Sequence, residues 1–472
     1  MNFYYPFIGG AFRESNQLLE ILSPYDRKVI GTTYAADSAL VDETIKVAES
    51  CRDEAAQLPV YRRYEALMFI AEQLNRRQED FVKLICQEAA KPYKYALSEV
   101  RRAIEVFKAA AEESKRIPGE YLSLDHTPAG EGKEGWVKYF PVGTVAGISP
   151  FNFPLNLAVH KIAPAIAAGC TIILKPSSLT PLSTLALAQI IAAAELPRGM
   201  VNILPAKREA GDQLVTDPRI QLLSFTGSAE VGWEMKARAG RKRVMLELGG
   251  NAGMIVAPTA DLSLAVKKAL VGGFSYSGQV CIHTQRILVH VSLFDEFLTR
   301  FTEGVRSLRF GDPLDPATDI SVMIDEGNAI RVEQWVNEAL DGHARLVCGG
   351  NRRGSYFEPT IIVGAKPGMR VRDEEVFGTI VLVDSYQDFE DAINQINQSR
   401  YGLQAGLFTN NLQEINLAFR RLHVGGLIIN DAPTFRVDHM PYGGVKDSGF
   451  GREGVKYSIM HMLEPKILVK EY

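Results

Sequence analysis

The sequence predicts an α/β protein with two sheet-centred domains, and three observations carry that expectation. Its 472 residues exceed one ordinary domain, which runs to roughly 100 to 200 residues. From about residue 142, short apolar runs alternate with helical stretches, the pattern of a parallel, doubly wound sheet. A second series of the same kind begins near residue 251.

In chain order, residues 45 to 115 come first. They are rich in alanine, glutamate, arginine and leucine, with Leu67, Ile70, Ala71 and Leu74 at spacings of three and four, which predicts a helical layer. The segment 119 to 140 is polar and interrupted, and is expected to form extended strands that leave the first domain. The apolar runs VGTVAGIS (from 142), TIILK (171–175), VNIL (201–204), LLSF (222–225) and RVMLEL (243–248) follow, with amphipathic stretches at 157–169 and 181–195. Sheets of this type bind ligands outside the carboxyl ends of their strands. The second series comprises MIVA (254–257), a helix near 262–272, RILVHV (286–291) and a helix near 294–307. The tail HMLEPKILVKEY ends in a strand-like run, and no internal repeat or low-complexity tract is found.

Composition narrows the function. A hydrophobic content of 46%, a charged content of 23% and a net charge of −4 fit a soluble globular protein without a polyanion-binding surface, so nucleic acid is not an expected partner. No apolar run approaches the roughly 20 residues that span a bilayer. The opening MNFYYPFIGGAFRES has no basic stretch followed by an apolar one, and a cytoplasmic protein without a membrane partner is expected. Cys51, Cys86, Cys170, Cys281 and Cys348 are odd in number, scattered and without a CxxC pair. Neither disulfides nor a metal site is expected, and one thiol is a candidate for chemistry.

Three motifs carry chemistry. Gly-Gln-Val-Cys at 278–281 sets Cys281 after a turn-permissive glycine, although a lone cysteine is more often an apolar filler. Leu-Glu-Leu-Gly-Gly-Asn at 246–251 puts Glu247 in an apolar strand. Burial there would raise its pKa toward that of a general base, unless backbone amides hold it as a structural carboxylate. Pro-Phe-Asn-Phe-Pro at 150–154 fixes the backbone on both sides of Asn152. A fixed amide donor suits an oxyanion hole, and a turn asparagine is the alternative.

PFNFP, LKPSS, FTGSAEVG, LELGGN, GQVC, EEVFG and PYGGVKDSG occur in the order and approximate spacing of the aldehyde dehydrogenase superfamily, which the chain resembles from about residue 5 to its end. The resemblance implies a Rossmann-type cofactor domain at 1–118 and 142–249, an α/β catalytic domain at 250–445, and a small β oligomerisation arm at 119–141 and 456–472. It implies Cys281 as a thiolate nucleophile that forms a thiohemiacetal with the aldehyde. Asn152 and the Cys281 N–H would hold the oxyanion, and hydride transfer to nicotinamide would leave a thioester. Glu247 would activate the water that hydrolyses it, a base that the coenzyme-A-acylating branch usually lacks. Lys175 is assigned a catalytic-site part as well as a cofactor contact.

For the cofactor, NADP or NAD, the resemblance places Lys175, Ser178 and Arg208 near the adenosine ribose. NAD-preferring members often carry glutamate at the Ser178 position, so its absence predicts that NADP is accepted. FTGSAEVG does not match GxGxxG; in the family this shorter loop, with Gly227, Ser228 and Gly232, sets a helix N-terminus near the pyrophosphate. Glu375 would reach the nicotinamide ribose and Phe377 the ring face, with Thr379 in place of the family's usual proline. Ser149, Pro150, Phe151, Gly211, Phe225 and Leu248 complete the implied cofactor contacts.

The run 429–454 looks most like members acting on small polar aldehydes such as lactaldehyde, glyceraldehyde 3-phosphate or phosphonoacetaldehyde. Arg102 and Arg436 fall where phosphate-handling relatives put substrate arginines, with solvated surface arginines as the alternative. Val280 stands where glyceraldehyde-3-phosphate members commonly have arginine, which favours a short hydroxy- or carboxy-aldehyde. Phe153 and His283 are further pocket candidates, a packing histidine being the other reading of His283. The rival functions are a catalytically idle structural member of the fold and a thiol esterase or acyltransferase. Unpaired strand edges in the arm predict a homodimer or homotetramer.

Overall fold

The computed structural model describes residues 2–472. Five parallel strands lie side by side in the order Val201–Ile203, Thr171–Lys175, Thr144–Ile148, Leu222–Thr226, Arg243–Glu247. Antiparallel strands extend both edges, Phe7–Ile8 and Ala11–Phe12 on one side and Gly449–Phe450 on the other. The chain builds outward from Thr144–Ile148 in one direction and then returns to Leu222–Thr226 on its other side. Connections therefore diverge at the carboxyl ends of these two strands, which opens a crevice there.

One side of this sheet carries the helical layer. Helix Tyr93–Ser114 buries Ala96, Val100, Ala103, Ile104, Phe107, Ala110 and Ala111, a stripe at spacings of three and four. Helix Asn156–Ala168 is buried along its whole length, which corrects the amphipathic pattern expected for 157–169. It lies between the sheet and the helices Tyr93–Ser114 and Val455–His461, so no face reaches water.

A second sheet of seven strands has the order Arg345–Cys348, Thr360–Val363, Ile380–Tyr386, Thr284–His290, Ala252–Val256, Gln404–Phe408, Gly426–Ile429, all parallel except the first. Gly119–Ser123, Lys133–Pro141 and Leu463–Glu471 form a separate antiparallel sheet. Residues 456–461, which the sequence assigns to the arm, belong instead to helix Val455–His461; it buries Val455, Ser458 and Ile459 against the helical layer at helical spacing. Among the described residues no helix is long and apolar enough to cross a membrane, no group of three or more His, Cys, Asp or Glu could hold a metal, and all five cysteines are free.

Candidate active site

A cleft of about 620 Å3 opens at the point where the first sheet's connections diverge. Pro150, Phe151 and Asn152 enter it from the end of Thr144–Ile148, Thr226 to Ser228 from the end of Leu222–Thr226, and Glu247 to Gly249 from the end of Arg243–Glu247. Cys281, Glu375 and Phe377 close it from the side of the second sheet.

Cys281 is presented by a strained turn. After helix Leu262–Phe274 the chain takes three successive left-handed residues, Tyr276 (φ 47°), Ser277 (φ 54°) and Gly278 (φ 70°). The two non-glycine residues cost on the order of 1 kcal/mol or more each. Buried hydrogen bonds hold them, from Tyr276 Oη to the Ala89 carbonyl at 2.9 Å and from Ser277 Oγ to the Ser321 carbonyl at 2.8 Å. Gly278 also has to be glycine because the Gly378 carbonyl packs where a Cβ would stand. The GQVC loop and the EEVFG loop are thus pressed together.

The Cys281 thiol lies 3.0 Å from Tyr442 Oη. Burial pushes its pKa up to about 11, against the Tyr442 hydrogen bond and the Arg436 charge, which pull it down. Asn152 is buried, and its Nδ2 donates to the Gln279 carbonyl at 2.9 Å, which fixes the amide beside Cys281 and leaves its second N–H for another acceptor. Glu247 is only 3% exposed and neither carboxylate oxygen has a partner. Burial and the nearby Glu453 raise its pKa well above the ordinary range, with Arg436, Lys161 and Arg452 opposing them. A carboxylate held in that condition is able to take a proton from water.

Glu375 accepts from the Gly250 N–H at 3.1 Å and rests against Gly249, where no Cβ would fit. Burial pushes it up to about 7. Phe377 and Phe151 meet edge to face at 5.9 Å. Thr379 is buried, and its hydroxyl donates to the Phe357 carbonyl at 3.0 Å. That bond anchors the loop where the family usually has proline.

A second pocket, about 240 Å3, collects Lys175, Ser178, Arg208, Gly211 and Phe225. Lys175 therefore stands with the adenosine-side candidates and apart from Cys281; burial lowers its pKa. The lysine near Glu247 is Lys161, which the sequence reading missed. It is fully buried, donates to Ser224 Oγ at 3.1 Å and Thr226 Oγ1 at 2.8 Å, and lies 3.8 Å from Glu453. A lysine in a mostly apolar helix was the available signal. Ser149 is buried, with its N–H on the Lys175 carbonyl at 3.1 Å, and Gly232 packs behind Leu248 and Phe225.

Of the substrate candidates, Val280 and Phe153 pack with Tyr276, Leu403 and Tyr442 around Cys281. His283 is turned away: its Nε2–H donates to the Gly273 carbonyl at 2.9 Å, and burial lowers its pKa to about 4. It is a neutral packing histidine. Arg102 forms two hydrogen bonds to Asp438, at 3.0 and 2.6 Å. Arg436 is buried and donates to Glu453 at 2.9 Å. Neither arginine lines the cleft. Arg331, Arg370 and Arg400 do line it, and no motif marked them.

Comparison with known proteins gives the family. The model of the aldehyde dehydrogenase family matches residues 12–468. A 3-sulfolactaldehyde dehydrogenase of Priestia aryabhattai is 40% identical over 98% of this chain and 97% of its own. Aldehyde dehydrogenase 21 of Physcomitrella patens, solved with the reaction product succinate, superimposes with a TM-score of 0.98 at 43% identity, covering 100% of this chain and 98% of that one. The NADP complex of glyceraldehyde-3-phosphate dehydrogenase from Methanocaldococcus jannaschii gives 0.93 at 37% identity, over 98% and 100% of the two chains. With a family model matching almost its whole length and relatives this similar, the chain belongs to the aldehyde dehydrogenase family and is an NAD(P)-dependent oxidoreductase of aldehydes.

Proposed function

We propose that this enzyme oxidises a short hydroxy- or carboxy-aldehyde to its carboxylate through a thioester on Cys281. The observation that carries the reading is the meeting, in one cleft, of a thiol, a fixed amide and a buried carboxylate without a partner. The Cys281 thiolate attacks the aldehyde carbon, and the free N–H of Asn152, with the Cys281 N–H, takes the charge that forms on oxygen. When bound, NAD(P) supplies the acceptor for the hydride. Glu247 then removes a proton from the water that hydrolyses the thioester.

The residues fit a dinucleotide. Ser228, Ala229 and Glu230, at the start of helix Ala229–Arg238, face the cleft, and the exposed amides of a helix N-terminus suit a pyrophosphate. Glu375, lodged against Gly249, would take a ribose hydroxyl. Lys175, Ser178 and Arg208 share the second pocket with Glu234, which pairs with Arg208 at 3.3 Å. A 2′-phosphate would gain two cations there and meet no carboxylate at position 178. NADP is therefore the favoured cofactor and NAD an accepted one.

Val280, Phe153, Tyr276, Leu403 and Tyr442 pack closely around Cys281, which favours a short substrate. The named relatives act on or bind a sulfonate, a dicarboxylate or a phosphate, each a short molecule with an anionic end. Arg102 lies outside the cleft lining and is paired with Asp438, but its side chain is 25% exposed and its guanidinium stands 6.0 Å from the centre of the Phe153 ring, which makes it the arginine of the pair nearer to such an end. The cofactor domain (1–118 and 142–249) and catalytic domain (250–445) supply the two sides of the cleft in this reading. Tyr121, Trp136 and Leu468 form an exposed cross-strand row on the arm, and the second sheet ends on the apolar edge strand Gly426–Ile429. Both favour a homodimer or homotetramer. The unpaired thiols favour the cytoplasm.

The test is reduced-cofactor formation at 340 nm with propanal, lactaldehyde, glycolaldehyde, succinic semialdehyde and glyceraldehyde 3-phosphate, each with NAD and NADP. Wild type turns over hydroxy- and carboxy-aldehydes fastest, and Cys281→Ala turns over none while still binding cofactor. Turnover that survives Cys281→Ala refutes the nucleophile, and a preference for propanal refutes the substrate class.

A further inference from the structure

The PYGG stretch at 441–444 is absorbed by none of these roles, yet it sets a hydroxyl against the sulfur. Tyr442 is buried, and its Oη lies 3.0 Å from Cys281 Sγ. Its backbone is pinned by a reciprocal pair of hydrogen bonds with Glu453, at 2.9 and 2.6 Å. The Arg436 guanidinium lies 3.7 Å over the centre of the Tyr442 ring. Arg436 is itself fixed by Glu453 at 2.9 Å, with Asp438 at 4.0 Å. His160 and Arg102 hold Asp438 in turn.

We propose that Tyr442 is a catalytic residue whose hydroxyl, with Arg436 stacked on its ring, donates a hydrogen bond to the Cys281 sulfur and stabilises it as the attacking thiolate. The inference rests on Cys281 being the nucleophile. A thiolate only accepts, so the phenol has to be the donor. It keeps its proton because burial and the neighbouring sulfur raise its own pKa well above the ordinary value, despite Arg436. Charge-assisted bonds of this kind are among the stronger hydrogen bonds.

Cys281 is faced by Tyr442 and Arg436, which favour the thiolate, and by Glu375 and Glu247, which together with burial oppose it. Lys161, Arg452 and Glu453 act one step further out, on Glu247. On ionisation the thiol proton leaves to water in the cleft. As the S–C bond forms, the sulfur's charge passes to the aldehyde oxygen, and the Tyr442 bond weakens while the Asn152 bond strengthens. The phenol proton is transferred at no stage.

The experiment is the rate of Cys281 alkylation by iodoacetamide against pH, read on the modified peptide by mass spectrometry, for the intact protein with and without NADP. Tyr442→Phe is expected to raise the midpoint of the profile by about one to two pH units. Below both midpoints the variant reacts about tenfold or more slowly. The gap between variant and wild type begins to close as pH passes the wild-type midpoint, where the wild-type rate levels off while the variant's still climbs, because a more basic thiolate is the better nucleophile once formed. An unmoved midpoint overturns the proposal, as does a rate reduced equally at every pH, which is a packing effect. If Tyr442→Phe does not fold, uniform replacement of tyrosine by 3-fluorotyrosine gives a more acidic phenol of nearly the same shape. It is expected to lower the midpoint, and no movement overturns the proposal. Either failure leaves Cys281 as nucleophile untouched; that reading falls only if Cys281→Ala still turns over.

Discussion

Replacing Glu247 with glutamine separates the two halves of the proposed reaction. The side chain is 3% exposed with both oxygens unpartnered, so the amide fits the same space and no hydrogen bond within the protein is lost. What disappears is the base. General-base catalysis contributes about 10² to 10⁴ in rate, or roughly 3 to 5.5 kcal/mol of barrier, and in this geometry the whole loss falls on hydrolysis of the thioester. Formation of the thioester uses Cys281 and Asn152. Stopped-flow absorbance at 340 nm should therefore show a burst of about one reduced cofactor per active site at the wild-type rate, followed by a steady state slowed about 10²- to 10⁴-fold. Loss of the burst would refute the reasoning, since Glu247 would then act before acylation. The pH dependence supplies a second check. Burial and Glu453 raise the folded pKa, so the ionised base accumulates only as pH rises through that value, and the glutamine variant lacks this limb of the profile. Stability follows the same linkage with its sign fixed. A carboxyl raised in the fold lends its stability fully below its unfolded pKa of about 4.3 and loses it as pH rises through the folded value. Glutamine has no such loss, so the variant's melting temperature should gain on wild type toward alkaline pH.

Asn152→Ala should slow the burst itself by about a hundredfold or more, with cofactor binding by fluorescence titration unchanged; an unaltered burst rate would remove Asn152 from the oxyanion site. Ser178→Glu puts a carboxylate beside Lys175 and Arg208 and should raise the KM for NADP by about tenfold or more while sparing NAD; equal effects on both cofactors would mean that the second pocket does not hold the 2′-phosphate. Trp136→Asp combined with Leu468→Asp places two charges in the exposed row of the arm and should yield a smaller species in sedimentation velocity. An unchanged sedimentation coefficient would exclude that face as a subunit interface.

The strands were legible because each is a short apolar run bounded by breaks, and nearly every run expected in the two sheets is present. The motif residues stood out in the sequence for different reasons: Glu247 because a carboxylate in an apolar strand is costly to bury without a partner or a use, and Asn152 because two prolines fix the backbone around its amide. Direction was not legible. His283 sits two residues after Cys281, but the chain turns there, with the His283 N–H on the Val280 carbonyl, so neither strand nor helix alternation says which way the ring points. Lys175 lies at a strand end as expected, but it lines the pocket of Ser178 and Arg208 and not the cleft that holds Cys281. Arg102 and Arg436 were drawn from position alone. Their partners Asp438 and Glu453 lie 336 and 17 residues away, pairings that only the folded chain makes.

The site holds together through contacts between its loops as much as through the domains that carry them. Asn152, at the end of a first-sheet strand, donates to the carbonyl of Gln279 in the nucleophile's turn. The next residue back in that turn, Gly278, abuts Gly378 beside Phe377. Glu375 of the same loop returns to Gly250, three residues beyond Glu247. The contacts close a ring around the cleft, and each link carries a group with a task in the proposed reaction. A movement of one sheet against the other large enough to displace Cys281 from Glu247 would have to break the Asn152–Gln279 bond or pull Glu375 away from Gly249 and the Gly250 N–H. The strain at Tyr276 and Ser277 is then understandable as the consequence of holding a short turn against two loops at once. For the same reason a side chain at Gly278 should disturb both the nucleophile and the cofactor contacts, although it touches neither ligand.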